Sequence, residues 1–249
     1  MVSSIFLILG GVLATSTLSG VLGMGGGILL MGLLTALLPV TEAMMLHGAS
    51  QLAANGSRAI LHRRHVRTAV LVPYLAGAFA VTGLLLAATY VPSKAVVYLL
   101  LGAFPFLALA VPQLSRLDMT RRPHAVVAGV VVTGLQLVAG ASGPILDMFF
   151  LDAKLDRHEV VATKALTQAA GHTLKLLFYA TMTSRLAEEA SLPTAIYPAV
   201  VTLALLGSYL GSHVLDRMSD AAFRRWSRYA VMTVGAIYLV KGIGMVVHA

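Results

Sequence analysis

Long apolar runs, separated by short basic or polar segments, set the pattern of this chain. The runs at 69–91, 95–112 and 229–247 carry almost no charge. They exceed the roughly 4–8 residues of a buried strand and approach the roughly 20 residues that a helix needs to cross hydrocarbon. The pattern predicts helices at 43–61, 69–91, 94–112, 158–182, about 193–214 and 228–247. Residues 183–192 read as polar, and Asp216 to Arg228 as a charged separator. Two further stretches, 5–38 and 124–151, are longer, and small residues interrupt each of them. The first breaks at Gly23-Met24-Gly25-Gly26-Gly27 and the second at Gly140-Ala141-Ser142-Gly143-Pro144. The expected class is an all-α polytopic membrane protein.

The two broken stretches belong to a repeat. Sliding the chain by 117 residues aligns 23–61 with 140–178, with eleven of 39 positions identical, among them Gly23/Gly140, Gly26/Gly143, Glu42/Glu159 and Gln51/Gln168. Two homologous four-segment halves follow, 1–112 and 124–249, joined by a basic linker at 113–123 that is expected to be cytoplasmic. Such internal duplication is common in secondary transporters. Basic residues cluster at Arg63, Arg64 and Arg67, at Arg116, Arg121 and Arg122, and at Arg217, Arg224, Arg225 and Arg228. All three clusters share one side of the membrane if each broken first helix is re-entrant, entering and returning on the same side. That gives six spans, two hairpins and inverted halves. The alternative is eight spans with parallel halves. The inverted repeat is preferred.

Composition agrees with a lipid setting. Only 11% of residues are charged, the mean hydropathy is +0.85, and 58% are hydrophobic, whereas a soluble domain carries about a quarter charged residues. The net charge of +8 is explained by basic loops facing anionic lipid, without invoking nucleic acid. The absence of cysteine excludes disulfides and thiolate metal sites. The opening Met1-Val2-Ser3-Ser4 lacks a basic signal-peptide start and is read as mature protein.

Candidate chemistry sits at the breaks and on the helices that follow them. Three glycines at Gly25, Gly26 and Gly27 disfavour continuous helix, expose backbone amides and allow close approach. Ser142 and Gly143 repeat the arrangement, with Pro144 suited to a first helical turn. Irregular backbone at membrane depth requires protein or a wet cavity beside it, and a helix start favours negative charge. Glycine-mediated helix packing is the competing explanation. Next, His47, Gln51, Asn55 and Arg58 are spaced to share one helical face, and Lys164, Gln168, His172 and Lys175 repeat that spacing. Ser50 and Thr167 are matched hydroxyls beside them, able to donate to an anion or to bond to their own helix. Both faces are basic or neutral, which favours an anionic solute. Arg58 and Lys175 have snorkelling as an alternative. Asp147, opposite Leu30 in the repeat, is either a counter-ion for Lys175 or Lys164, a proton carrier or a structural ion pair. Glu42 and Glu159 read as stabilisers of helix starts.

No Walker, zinc-peptidase or dinucleotide pattern occurs, so neither an enzyme nor a nucleotide-driven pump is expected. No cofactor or metal is expected.

Gly23-Met24-Gly25-Gly26-Gly27-Ile28-Leu29, then Pro39-Val40-Thr41-Glu42-Ala43, Gly48-Ala49-Ser50-Gln51 and His62-Arg63-Arg64-His65, together resemble the sulfite exporter TauE/SafE family. Gly140–Pro144 and Ala162-Thr163-Lys164-Ala165 resemble its second copy. The resemblance implies a multi-pass bacterial inner-membrane protein that moves small anions, in particular sulfite or organosulfonates. By motif, the Gly-rich element falls on Gly23, Gly25, Gly26 and Gly27, its repeat on Gly140 and Gly143, and a polar position near Ser50. The chain departs from the family where Met31-Gly32 stands in place of a proline, and in its shorter second glycine run.

The combined expectation is a secondary transporter in which Gly25, Gly26, Gly27, Ser50, Gln51, Asn55, Ser142, Gly143, Lys164, Thr167, Gln168, His172 and Lys175 line an anion site. Asp147 and His172 would serve proton coupling. The partners would be the anion, membrane lipid and a second copy in a homodimer. An anion channel and a non-transporting membrane assembly factor are the alternatives.

Overall fold

A computed structural model describes residues 2–22, 25–110, 117–151, 153–186, 192–215 and 220–248. Ten α-helices appear among them: α1 Val2–Leu22, α2 Gly25–Leu37, α3 Val40–Leu61, α4 Thr68–Ala87, α5 Lys94–Ala110, α6 Arg122–Val138, α7 Gly143–Met148, α8 Arg157–Leu186, α9 Ile196–Leu215 and α10 Asp220–Val247. A 3-10 turn, Arg63–His65, follows α3.

Both long apolar stretches are divided into two helices, but Gly25, Gly26 and Gly27, expected to break the first, are helical and form the first turn of α2. α1 ends at Leu22 and α2 begins at Gly25; Gly23 and Met24 lie outside the described residues. The two helices fold back on each other. A side chain at Gly26 would collide with the Thr15 carbonyl and Ser19, and one at Gly11 would meet Leu33. In the second half, α6 ends at Val138 and the chain turns through Gly140, whose φ of +84° suits glycine at a helix C-terminus. Pro144 occupies the first turn of α7. By Phe149 the chain has returned to the start of α6, since the Met119 amide donates to the Phe149 carbonyl at 2.8 Å.

The helix pairings suggest an internal two-fold. α1 lies on α9 as α4 lies on α6, while α3 pairs with α8 and α5 with α10. Close backbone contact depends on small residues at these crossings. Gly77 fits between Val126 and Val130, and Gly129 fits between Tyr74 and Ala78. The two self-paired couples run antiparallel. Met45 meets Thr183 at one end of α3/α8, and His62 stacks near His158 at the other. Leu99 meets Gly242 in α5/α10, and Pro105 meets Gly235.

Some boundaries differ from the sequence expectation. α3 begins at Val40, directly after Pro39, because that proline ends the preceding segment and sets an extended φ/ψ of −54°/151°. α8 runs to Leu186, four residues into the segment read as polar. Asp220 to Arg228 is helix rather than separator, so Arg224, Arg225 and Arg228 belong to α10. Arg116, Asp216 and Arg217 lie outside the described residues.

Among the described residues, one helix, Thr68–Ala87, is by itself both long and apolar enough to cross a membrane. Shorter apolar helices cover Ser3–Ser19, Gly26–Leu37, Lys94–Leu107, Arg122–Val138, Ile196–Gly211 and Met232–Val247. Beside an apolar core, the molecule exposes large apolar side chains and buries several polar ones. Val72, Phe79, Leu84 and Val240 are exposed, at 76%, 59%, 68% and 73%, while Lys175, His47, His172 and Gln136 are buried. Apolar surface outside and cationic side chains inside fit a lipid environment.

Candidate anion site

The site forms where α3 and α8 cross, between the two helix breaks. The spacing in both helices turns their polar residues to the inside of the bundle, and the breaks bring backbone carbonyls to meet them. Lys175 is wholly buried. Its Nζ donates to the Gly140 carbonyl at 3.0 Å and lies 3.0 Å from His47 Nδ1. His47 Nε2 lies 2.9 Å from the Gly27 carbonyl, which makes that ring nitrogen the donor and leaves Nδ1 to accept from Lys175. One chain of contacts therefore runs from the break in one half to the break in the other. The Lys175 ammonium pairs with no carboxylate among the described residues, whose ion pairs are Arg67–Glu159, Arg121–Asp118 and Lys164–Asp147.

Each break also faces a glutamine from its own half. A side chain at Gly27 would stand 3.5 Å from Gln51 Oε1, and one at Gly143 would stand 3.8 Å from Gln168 Nε2. Gln51 and Gln168 are repeat equivalents. The His47 and His172 rings sit 5.6 Å apart, and His172 Nε2 lies 3.4 Å from Gln136 Nε2. Several buried polar atoms here have no protein partner: Ser50 Oγ, Ser142 Oγ, His172 Nδ1, Gln136 Oε1 and Asp147 Oδ2. Buried polar atoms are seldom left unpaired. Their occurrence on the helices and turn that hold Lys175 and Gly140 makes this a candidate place for water or a small polar solute.

The structure distributes the predicted residues unevenly. Gly27, Gln51, Ser50, Ser142, Gly143, Gln168, His172 and Lys175 gather at or next to the crossing. Lys164 instead pairs with Asp147, so Asp147 is the counter-ion of Lys164 and not of Lys175. Thr167 is buried, but its hydroxyl donates to the Thr163 and Lys164 carbonyls of its own helix. The Asn55 amide donates to the Gln51 carbonyl. Gly26 is pressed against α1, which gives it the packing role held open from the sequence. Gly25 opens α2. Lys175 does not snorkel, since it is buried well inside α8. Of the two glutamates read as helix-start stabilisers, Glu159 makes a cap, whereas Glu42 stands in the first turn of α3 and reaches a distant amide. Glu42 accepts from the Leu192 amide at 2.8 Å. Glu159 accepts from the Asp156 amide, while Asp156 accepts from the His158 and Glu159 amides. This reciprocal arrangement is a capping box built on aspartate. Glu159 also pairs with Arg67 at 2.6 Å.

Three central residues were absent from the predicted site. His47 was visible on the polar face but had no stated role. Gln136 is a lone amide in an apolar run, a signal of the same kind as Gln51 and Gln168. Gly171 makes room for it, since any side chain there would collide with Gln136 Oε1. Gly140 contributes its carbonyl, whereas the sequence argument had considered only amides.

No curated protein and no solved structure matches the chain. A family model described as "Sulfite exporter TauE/SafE" matches residues 7–239. With nearly the whole chain matched, over the same breaks and polar helices that build the site, the protein belongs to the sulfite exporter TauE/SafE family.

Proposed function

We propose that the protein is a secondary transporter of a small oxyanion such as sulfite, an organosulfonate or a small carboxylate, working across a bacterial inner membrane by alternating exposure of the α3/α8 crossing. Family membership places it among membrane proteins that transport small anions and are not enzymes. The observation that carries the finer reading is Lys175, buried without a carboxylate among the described residues, on helices and a turn that also bear the buried, unpartnered Ser50, Ser142 and His172 atoms. An unpaired buried charge is costly, and an anion at this place offsets that cost. The same anion gives the unpartnered hydroxyls an acceptor.

In this mechanism Lys175 supplies charge, and Gln51 and Gln168 donate from the two halves. The Gly27 and Gly143 backbones let the solute approach closely. Asp147 and His172 are the coupling groups: a proton on Asp147 would release Lys164 from its ion pair. The antiparallel course of α3/α8 and α5/α10 supports inverted halves, 1–112 and 124–249, with α1–α2 and α6–α7 as re-entrant hairpins. Rocking of one half against the other would then expose the crossing to each side in turn.

The test is counterflow in proteoliposomes loaded with sulfite, sulfonates, sulfate or small carboxylates. Saturable uptake driven by internal unlabelled anion of one class is expected. Flux without counterflow would assign a channel instead. No flux of any anion, with a protein partner copurifying, would assign an assembly factor.

A further inference from the structure

A groove of about 460 Å³ runs along the outside of the α3/α8 seam, lined by Gly56, Ala59, Ile60, Val66, Leu166 and Ala169, with Thr68 and Arg63 at its margin. It lies beside the site, on the flank of α3 next to the face that carries Gln51 and Asn55. Nothing in the transport reading uses it. Its size falls within the roughly 300–1,000 Å³ of ordinary small-molecule sites, and its lining is almost wholly apolar. Gly56 keeps it open, because nothing lies within 4 Å of where a side chain would start there.

The mouth has a different chemistry. Arg63 and Arg64, both exposed, form no ion pair among the described residues, and the exposed His65 and Arg67 flank them. The carboxylate at this end that does pair with an arginine, Glu159, is taken by Arg67. Arg63 makes only a 3.4 Å contact to the Ile60 carbonyl, which leaves its guanidinium donors available. Immediately before the cluster, Ile60 and Leu61 are 67% and 76% exposed. Large apolar side chains next to unpaired arginines mark the level at which hydrocarbon gives way to headgroups.

We infer that this groove is a binding site for an anionic glycerophospholipid, with one acyl chain lying along Gly56, Ala59 and Ala169 and the phosphate on Arg63. Charge complementarity selects the occupant. A zwitterionic lipid brings a headgroup ammonium that offsets its phosphate and is repelled by the unpaired arginines, and a second copy of the chain would bring another basic face against them. The inference needs only the membrane location and holds whichever solute is carried.

The experiment measures lipid retained on the purified full-length protein by native mass spectrometry, alongside the shift in melting temperature. The probes are phosphatidylglycerol, phosphatidylcholine and inorganic phosphate. Phosphatidylglycerol is expected to be retained and to stabilise, with phosphatidylcholine and phosphate having little effect. Arg63→Gln should lower phosphatidylglycerol retention about fivefold, the effect of one cation near a lipid surface. Gly56→Leu fills the groove and should abolish retention. Gly83→Leu, at another open position on α4, should change nothing and controls for added bulk. Equal retention of the two lipids would overturn the proposal, as would stabilisation by phosphate alone. So would unchanged retention in Arg63→Gln, which decides the matter even where Gly56→Leu fails to fold. A monomer–dimer shift in Gly56→Leu without a lipid effect would assign the groove to a second copy and overturn it as well.

Discussion

The two polar helices, α3 and α8, hold equivalent places in the two halves but solve the problem of buried polarity differently. In α3 the inward groups are neutral and close onto nearby backbone: His47 on the Gly27 carbonyl, Asn55 on the Gln51 carbonyl. In α8 they are charged. Lys164 meets Asp147, which stands where the first half has Leu30, and Lys175 reaches across to Gly140 and His47. Its repeat partner Arg58 is only partly buried. Both halves have a break facing a glutamine and a partly buried cation, Arg58 or Lys164, but among the described residues the wholly buried cation, Lys175, stands in α8. In the proposed mechanism the first half shapes the site and the second supplies its field.

The largest effect should come from breaking that asymmetry. Lys175→Ala should reduce anion flux on the order of thirtyfold or more, as expected when one partner of a buried charged contact is removed. Arg58→Ala, near the outer end of α3, should cost less than about fivefold. Comparable losses in both, measured at matched membrane expression, would mean that the halves share the charge. A smaller effect tests what they do share. Gln51→Ala and Gln168→Ala should each lower apparent affinity by about tenfold, the scale of a hydrogen bond to a charged group. A loss in Gln168→Ala alone would assign the site to the second half.

The smallest effect concerns the helix starts. α8 opens with the Asp156–Glu159 box. The Glu159 amide, above all, holds the Asp156 carboxyl below its usual value of 3.8; the His158 amide and the His158 and His65 rings add to this, and burial opposes it. A depressed carboxyl contributes stability above pH 3.8, and that contribution fades as the pH falls through its folded value. Asp156→Ala should therefore melt slightly earlier than the parent near neutral pH and converge with it in acid, as followed by thermal denaturation. A constant difference at all pH values would remove the carboxylate from the explanation.

Much of this was legible in the residues. Glycine and proline marked where the breaks fall, although Gly25, Gly26, Gly27, Gly143 and Pro144 themselves form the first turns of α2 and α7, where backbone amides need no helical partner. The spacing of four, four and three placed both polar faces, because only one side of each helix can avoid lipid. The site's inner wiring was less legible. That Asp147 takes Lys164, and leaves Lys175 to Gly140 and His47, depends on how far α7 reaches before the chain turns at Phe149. That length is set by tertiary contacts such as Met119 to Phe149. Gln136 was missed for a similar reason: its partner His172 lies 36 residues away, across a contact that only Gly171 permits. α8 extends to Leu186 although Ser184, Arg185 and Leu186 are exposed, because polarity alone does not end a helix.

The central claim is that an anion is held at the α3/α8 crossing by Lys175, between two interrupted helices. The most direct measurement is a cryo-EM map of the protein in lipid nanodiscs, saturated with the anion that gives the greatest counterflow. The account predicts density for that anion within hydrogen-bonding reach of Lys175 and at least one of Gln51 and Gln168, with the chain turning at Gly140. Anion density confined to the outer surface, or α6 continuing unbroken through 140–144 with Lys175 packed against apolar side chains, would contradict it.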